Sequence, residues 1–366
     1  MLEPNARTAP ASRNFGTIEA YRGLAALAVF CVHGQAIVGE SLVPRHGYLA
    51  VDLFFILSGI VMAHSYDRRF ADGSLSSVGF MWLRVVRLLP VIVLATLFAA
   101  VVNAAILRIN GPTPFHSLGE IALSTVLTVA LIPQPWVDSH NYYPLNGPFW
   151  SLLFELAANL LFALSWRQFS GRRLFALIGF AGLALVAIGI SSGDYPHGFY
   201  WSQAPLAAAR TLYCFFVGVL IARSSHCDPV RSSVGMLVGI VAGAALFWGS
   251  IPGFDVAQDL VADLLFLPTI AWLAIRVEPG PLLERASRWL GEASYPVYAF
   301  HLPLILAVVG AAKLANVRWL FPSPISALVL LLLMVAGGVL LHRLIDEPTR
   351  RWLKRRFRGD NRVRGG

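Results

Sequence analysis

The stretch "VRLLPVIVLATLFAAVVNAAILR" (residues 86–108) decides the fold class. Between Arg87 and Arg108 its only polar side chains are Thr96 and Asn103. A helix of about 20 such residues crosses the hydrocarbon core of a bilayer. Similar apolar runs recur along the 366 residues, which are 57% hydrophobic and only 13% charged. Since soluble domains carry about a quarter charged residues, the sequence indicates a polytopic membrane protein.

The apolar runs predict an all-α integral membrane helix bundle with about 10 transmembrane helices. Short polar segments separate the runs, and no strong internal repeat relates them. The predicted spans are 17–37, 48–66, 86–108, 147–166, 174–192, 205–223, 233–251, 259–276, 293–312 and 323–343.

The distribution of basic residues predicts the orientation of the bundle. The net charge is +9, from 29 Lys and Arg against 20 Asp and Glu. With both termini in the cytoplasm, nearly every basic residue lies on the cytoplasmic side, as the positive-inside rule requires. This placement accounts for the charge without nucleic acid. The exceptions are Arg45, Arg108, Arg210, Lys313 and Arg318.

The chain is predicted to be one membrane domain, residues 17–345. A cytoplasmic lead, residues 1–16, precedes it, and a basic cytoplasmic tail, residues 346–366, follows near anionic lipid headgroups. The apolar stretch 118–133 breaks the pattern, because an eleventh span there would place the next arginines outside. Residues 109–146 are therefore expected on the outer side, with a re-entrant or interfacial helix.

Ionisable side chains inside the spans are the candidate functional groups, because each costs about 2.5–3.5 kcal/mol at the bilayer centre. Arg22 and His33 lie eleven residues apart in the first span. That spacing returns to within about 20° of one helix face, roughly 16 Å further along. The two side chains are thus expected to face one compartment at different depths.

Other polar groups are expected to converge on the same interior. Ser151 and Glu155 follow Trp150 at helical spacing, and Tyr298 and His301 share a face of a later span. Asp52 lies early in the second span. Arg210 lies near a span end, where a side chain can extend to water. These groups are suited to general acid–base chemistry, with interhelical hydrogen bonding as the alternative.

No metal site is indicated. Cys31, Cys214 and Cys227 have no paired spacing, and the histidines lack ligand spacing. Arg84 and Arg87 lie one turn apart at the cytoplasmic start of the third predicted span. Together with free N–H groups of a helix N-terminus they predict a phosphate-binding site, although anchoring by positive charge is an equal alternative.

These segments resemble the bacterial transmembrane acyltransferases of the acyltransferase-3 group. "YRGLAALAVFCVH" resembles the family's Arg-x10-His motif at Arg22 and His33, and "RVVRLLP" resembles its paired arginines. Further resemblances follow in order along the chain, and together they reach from residue 22 to residue 348. They are "GYLAVDLFFILSG", "FWSLLFE", "LGEASYPVYAFH" and "DEPTRRWL".

The resemblance implies an enzyme of the bacterial inner membrane that moves an acyl group, by default acetyl, from cytoplasmic acyl-CoA (acetyl-CoA) to a carbohydrate or lipid-linked glycan hydroxyl. Donor phosphates are then expected on Arg22, Arg84 and Arg87, with His33 as general base. Glu155 or Asp52 would orient the imidazole. The acceptor or the oxyanion would be held by His301, Ser151, Trp150, Arg210 or Tyr298.

A transporter and a non-catalytic scaffold are the alternatives to an enzyme. A transporter or flippase of a sugar or lipid-linked sugar also needs a polar interior, but no repeat symmetry of the kind found in transporters is evident. A non-catalytic scaffold gives no reason for the cost of these residues. Dependence on acyl-CoA distinguishes the enzyme from both.

Overall fold

The computed structural model describes residues 15–138, 140–168, 171–193, 198–225, 228–317 and 321–363. Most of the predicted N-terminal lead, Cys227 and Arg318 lie outside these residues, as does the very end of the basic tail.

The described chain is an all-α helix bundle, as the sequence predicts. Short helices at Gln35–Val38, Glu40–Leu42, Gly47–Leu49, Gly147–Phe149 and Trp201–Gln203 connect the main ones. The main helices are α1 (Gly16–His33), α2 (Ala50–Ala71), α3 (Ser77–Arg108), α4 (Leu118–Val129), α5 (Trp150–Ser165), α6 (Arg172–Ser192), α7 (Ala204–Ser224), α8 (Ser233–Trp248), α9 (Asp255–Ala274), α10 (Pro281–Leu314), α11 (Pro324–Leu341) and α12 (Glu347–Val363).

Among the described residues, eight helices are long and apolar enough to cross a membrane: α2, α3, α5, α6, α7, α9, α10 and the segment that begins with α11. The other two predicted spans are also helical. α1 carries Glu19, Arg22 and His33, which lower its mean hydropathy, and α8 has only 16 residues. The number of ten spans and the cytoplasmic position of both termini stay predictions.

The helix α4 covers most of the stretch 118–133. Its 12 residues rise only ~18 Å, well short of the ~30 Å hydrocarbon core. The Ser117 hydroxyl caps its first turn by accepting the Glu120 N–H at 3.1 Å. The helix packs against α3. Its re-entrant or interfacial placement stays a prediction.

Small residues allow α2 and α7 to cross in close contact. A Cβ atom on Gly59 would lie 2.0 Å from the carbonyl oxygen of Phe215, and one on Gly218 would lie 2.1 Å from that of Ile56. Close backbone approach through small residues is the usual basis of helix association in membranes. This crossing fixes α2, and with it Ser58 and Asp52, against the rest of the bundle.

Two short strands join the helix ends at the predicted cytoplasmic side. The strand β1 (Val230–Arg231), before α8, pairs in parallel with β2 (Val277–Glu278), before α10. At the other end of the sequence, α11 continues through a π-turn at His342–Asp346 into α12. The basic tail therefore begins as an extension of a membrane helix.

Candidate functional site

The bundle contains an inner chamber of about 270 Å³ near the predicted cytoplasmic ends of α1 and α3. It is lined by Arg22 of α1, Arg84 and Arg87 of α3, and Lys354 of α12. The structure thus brings together the three arginines that the sequence suggested as donor-binding residues. Four basic side chains around one small chamber make it suited to a polyanion.

The helix N-terminus predicted beside the paired arginines is elsewhere. The helix α3 begins at Ser77, and the Ser76 hydroxyl caps it by accepting the Gly79 N–H at 3.1 Å. Arg84 lies seven residues further along, about 10 Å in helical rise, where the backbone N–H groups are already bonded. The prediction that free backbone N–H groups of a helix N-terminus contribute to the site is therefore wrong. Of these two features, only the guanidinium groups supply positive charge there.

Glu155 of α5 accepts two hydrogen bonds in the wall of the inner chamber. Arg84 Nη2 and Ser58 Oγ each lie 2.7 Å from its Oε1. Among the described residues the buried Nε of Arg84 has no hydrogen-bond partner. Glu155 therefore fixes one arm of the guanidinium, and a donor on the same group is left for another acceptor.

A second cavity of about 170 Å³, the outer chamber, contains His33. Its wall also includes Tyr48, Asn141, Trp150 and Phe199. The His33 side chain is exposed, whereas Trp150 is buried. Arg22 lines the inner chamber and His33 the outer one, so the two side chains lie at different depths as predicted. The expectation that they face one compartment is wrong, because the structure has two separate chambers there.

The hydrogen bond of His33 determines which of its nitrogens is basic. Nδ1 lies 3.0 Å from the carbonyl oxygen of Val29, one turn earlier in α1. A carbonyl only accepts, so Nδ1 carries the proton and Nε2 has a free lone pair. The expectation that Asp52 or Glu155 orients this imidazole is wrong in the structure, because Val29 takes that position and both carboxylates bond elsewhere.

Tyr298 of α10 lies where the two chambers meet, since it and Val51 line both. Its hydroxyl is 2.6 Å from the Ser151 hydroxyl and donates to the Pro148 carbonyl at 2.9 Å. Phe54 packs edge-on against its ring. The side chain is thus held in place at the junction.

His301 lies behind His33 rather than in the chamber wall. It is fully buried, and its ring centroid is 4.9 Å from that of His33. Its Nδ1 lies 2.6 Å from the Tyr298 carbonyl oxygen, and among the described residues its Nε2 has no partner. Its side chain lines neither chamber, so the structure brings it into the second layer around the site and not into contact with an acceptor.

Arg210 does not reach either chamber. It is fully buried and bonds both oxygens of the fully buried Asp52, with Nε 2.9 Å from Oδ1 and Nη2 against Oδ2. A role for Arg210 in holding an acceptor, or in reaching water from a span end, is therefore wrong. The pair joins α7 to α2 deep in the bundle. Tyr48 of the outer chamber contacts it, with its ring centroid 6.0 Å from Arg210 Cζ.

Within the part of the chain that the structure describes, one buried group of side chains has potential metal ligands. Asp52, Cys214 and Asp263 place ligand atoms within 4.8 Å of one another. The two oxygens of Asp52 are bonded to the Arg210 guanidinium, whose positive charge opposes a cation at that position. The donor set therefore does not fit a metal ion.

A hydrogen-bonded turn forms the rim of the outer chamber. Asn141 Nδ2 donates to Asp138 Oδ2 at 2.5 Å, and the His140 N–H donates to Oδ1 at 2.8 Å. Partial burial raises the pKa of Asp138, but these hydrogen bonds to its charged form outweigh burial and lower it. Asn141 is thus held against the chamber by an ionised carboxylate.

Sequence reasoning missed Lys354 and the partnership of Ser58 with Glu155. Lys354 belongs to the basic run "RRWLKRRFR", in which nothing distinguishes one position from the next. Its position depends on the buried Asp346. The Oδ2 atom of Asp346 lies 3.0 Å from His342 Nδ1 and 2.8 Å from Arg350 Nη2. These contacts direct α12 along α3 and over the inner chamber.

Comparison with known proteins identifies relatives along nearly the whole chain. Acyltransferase MdmB of Streptomyces mycarofaciens is 27% identical over 92% of this chain and 91% of its own length. Exopolysaccharide production protein ExoZ of Rhizobium meliloti is 28% identical over 74% of this chain and 80% of its own. Protein 2 in the picA locus of Rhizobium radiobacter is 35% identical over 41% of this chain and 81% of its own length. No solved structure shows a significant match.

A family model described as an acyltransferase domain matches residues 15–343. The match includes every main helix from α1 to α11, and with them both chambers apart from Lys354. It favours an enzyme over the transporter that the buried charges alone also allowed. The chain therefore belongs to this family of acyltransferases and is an integral membrane protein that transfers acyl groups.

Proposed function

We propose that the protein transfers a short acyl group from acyl-CoA in the inner chamber to a carbohydrate hydroxyl in the outer chamber, with His33 as general base. The observation that carries this proposal is the junction at Tyr298. On one side of it lie four basic side chains, and on the other lies a histidine with a free Nε2 lone pair.

The inner chamber is suited to the donor because CoA carries several phosphate charges. Arg22, Arg87 and Lys354, together with the unpartnered Nε of Arg84, offer charge-assisted donors to them. Arg22 and His33 are separated by roughly 16 Å along α1, a distance of the same order as the pantetheine arm. The phosphates thus stay at the cytoplasmic end while the thioester reaches the junction.

The chemistry needs one base and one oxyanion donor. His33 Nε2 takes the proton of the acceptor hydroxyl while that oxygen attacks the thioester carbonyl carbon. The hydroxyl of Tyr298, at the junction, turns from the Pro148 carbonyl and donates to the developing oxyanion, while the Ser151 hydroxyl, 3.1 Å from the same carbonyl, replaces it as the donor there. The carbon–sulfur bond then breaks, and the thiolate takes the proton from the His33 imidazolium. The products are an ester and free CoA.

The outer chamber also limits the two substrates. Its volume of about 170 Å³ leaves room for an acetyl group beside part of an acceptor. Trp150, Phe199 and Tyr48 offer aromatic faces of the kind that stack on sugar rings. The name of the relative ExoZ refers to exopolysaccharide, which supports a carbohydrate acceptor. The orientation predicted from the positive-inside rule supports a position of this chamber on the outer side of the bacterial inner membrane.

The test uses the purified full chain in detergent with radiolabelled acetyl-CoA. Binding is measured by equilibrium dialysis, and acyl transfer is measured to a panel of methyl glycosides. We expect His33→Asn to bind acetyl-CoA as wild type does and to lose transfer by about 10²–10⁴-fold. The matched control is His64→Asn, which removes an exposed histidine of α2 outside both chambers and should leave transfer unchanged.

Two results would contradict the proposal. Failure of wild type to bind acetyl-CoA or longer acyl-CoAs removes the donor assignment. Full transfer by His33→Asn removes the base assignment while leaving the donor site in place.

A further inference from the structure

An apolar groove of about 320 Å³ lies along α1 and shares no lining residue with either chamber. One stripe of α1, from Tyr21 to Cys31, forms its floor, and α8 and α11 form its sides. The residues of α8 that line it run from Gly239 to Trp248. Both stripes follow the helix axes for about 15 Å, which is half the hydrocarbon thickness and thus one leaflet deep.

An exposed arginine lies near one end of the groove, just outside the residues that line it. Leu42 and Trp248 form the rim, and the indole Nε1 donates to the Leu42 carbonyl at 3.2 Å. Beside them the exposed Arg45 donates to the Ser250 hydroxyl at 3.2 Å. Among the described residues Arg45 forms no ion pair with a carboxylate. Tryptophan and arginine are the side chains expected at the headgroup level of a membrane.

We propose that this groove binds one acyl chain of a bilayer phospholipid, with the phosphate at Arg45. The bilayer surrounds the groove with hydrocarbon chains, which are apolar like the groove lining. One leaflet of these chains is about as thick as the groove is long. An empty groove would leave its lining atoms without contacts. The Arg45 guanidinium supplies the charge complementary to a phosphate. The proposal is independent of the acyl-transfer chemistry, because the groove shares no lining residue with either chamber.

Gly243 offers a sharp test because it lines the groove and a Cβ on it would meet nothing within 4 Å. Gly243→Leu should therefore fill the groove without disturbing the fold. Gly179 of α6 is the matched control, since its Cβ would also meet nothing within 4 Å and it lines neither the groove nor a chamber. Thermal unfolding of both variants checks that each is folded.

The probe is a phosphatidylglycerol with a photoreactive group in one acyl chain, added to the full chain in detergent. We expect labelled peptides from α1, α8 and α11 in wild type and in Gly179→Leu. Labelling of these peptides should fall at least tenfold in Gly243→Leu and several-fold in Arg45→Gln.

Three results would overturn the proposal. The first is that Gly243→Leu is labelled as strongly as wild type. The second is that labelling spreads evenly over other helices such as α6. The third is that a polyprenyl phosphate displaces the probe at a much lower concentration than unlabelled phosphatidylglycerol does. The last result would assign the groove to an isoprenoid lipid instead. Because no result depends on acyl transfer, failure here and failure of the proposed function are distinguishable.

Discussion

Arg84 and Glu155 form an ion pair between α3 and α5, with Nη2 2.7 Å from Oε1. Their side chains are only 9% and 18% exposed, so neither charge is well solvated. Within a largely buried pair, the loss of one partner leaves the other uncompensated. The pair therefore joins the helix that bears Arg84 and Arg87 to the helix that bears Ser151 and Trp150.

The energetic coupling of this pair is measurable by a double-mutant cycle. We expect Arg84→Gln and Glu155→Gln each to lower the free energy of unfolding, and the second change to cost less once the first is present. The coupling should be about 1–3 kcal/mol. SDS-induced unfolding in bicelles measures it. Strict additivity of the two changes would show that the pair contributes no stability.

Lys354 gives a prediction about donor binding by the tail. Lys354→Gln should weaken acetyl-CoA binding about tenfold, since a charge-assisted hydrogen bond is worth roughly 1.5–3 kcal/mol. Arg355→Gln removes the same charge from the adjacent, exposed position outside the chamber and is the matched control. Calorimetric titration at two salt concentrations measures both. Equal weakening by the two variants would mean that only the total charge of the tail matters.

Trp150 should limit the length of the acyl group. It is buried in the outer chamber, and its ring contacts Phe55 and Phe154. Trp150→Leu opens space there, so we expect the ratio of butyryl to acetyl transfer, compared as kcat/KM, to rise about tenfold. One or two methylenes in an apolar pocket are worth such a factor. The control Trp289→Leu changes a tryptophan that is 39% exposed and should leave the ratio unchanged.

A lower rate for both acyl groups in Trp150→Leu, at an unchanged ratio, would contradict this prediction. The tryptophan would then position the acceptor rather than limit the donor.

Sequence patterns predicted the helices and the depths of their polar groups for a physical reason. A bilayer requires long apolar helices, and helical spacing determines which residues share a face. The spacing of Arg22 and His33 is thus enough to place them at two depths. The start of α3 at Ser77 was missed because Arg84 and Arg87 end the apolar run, although the helix itself continues into the cytoplasmic side.

Partners across helices could not be predicted in the same way. Asp52 and Arg210 are 158 positions apart, and periodicity within one helix does not reveal which helix lies beside it. The same holds for Arg84 with Glu155 and for Lys354 above the inner chamber. The chemistry-bearing residues were thus recognisable one by one, whereas their pairing depended on how the bundle packs.

The α2–α7 crossing makes the most direct prediction about stability. A Cβ on Gly218 would lie 2.1 Å from the Ile56 carbonyl oxygen, and a backbone atom cannot rotate away as a side chain can. Gly218→Ala should therefore separate the two helices and cost at least about 1–3 kcal/mol. Gly179→Ala, with nothing within 4 Å of its Cβ, should instead be neutral or stabilise by about 0.5–1 kcal/mol. Unfolding in bicelles compares the two, and an equal effect of both substitutions would show that α2 and α7 do not cross this closely. Because Ser58 and Asp52 lie on α2, Gly218→Ala should also weaken acetyl-CoA binding, whereas Gly179→Ala should not.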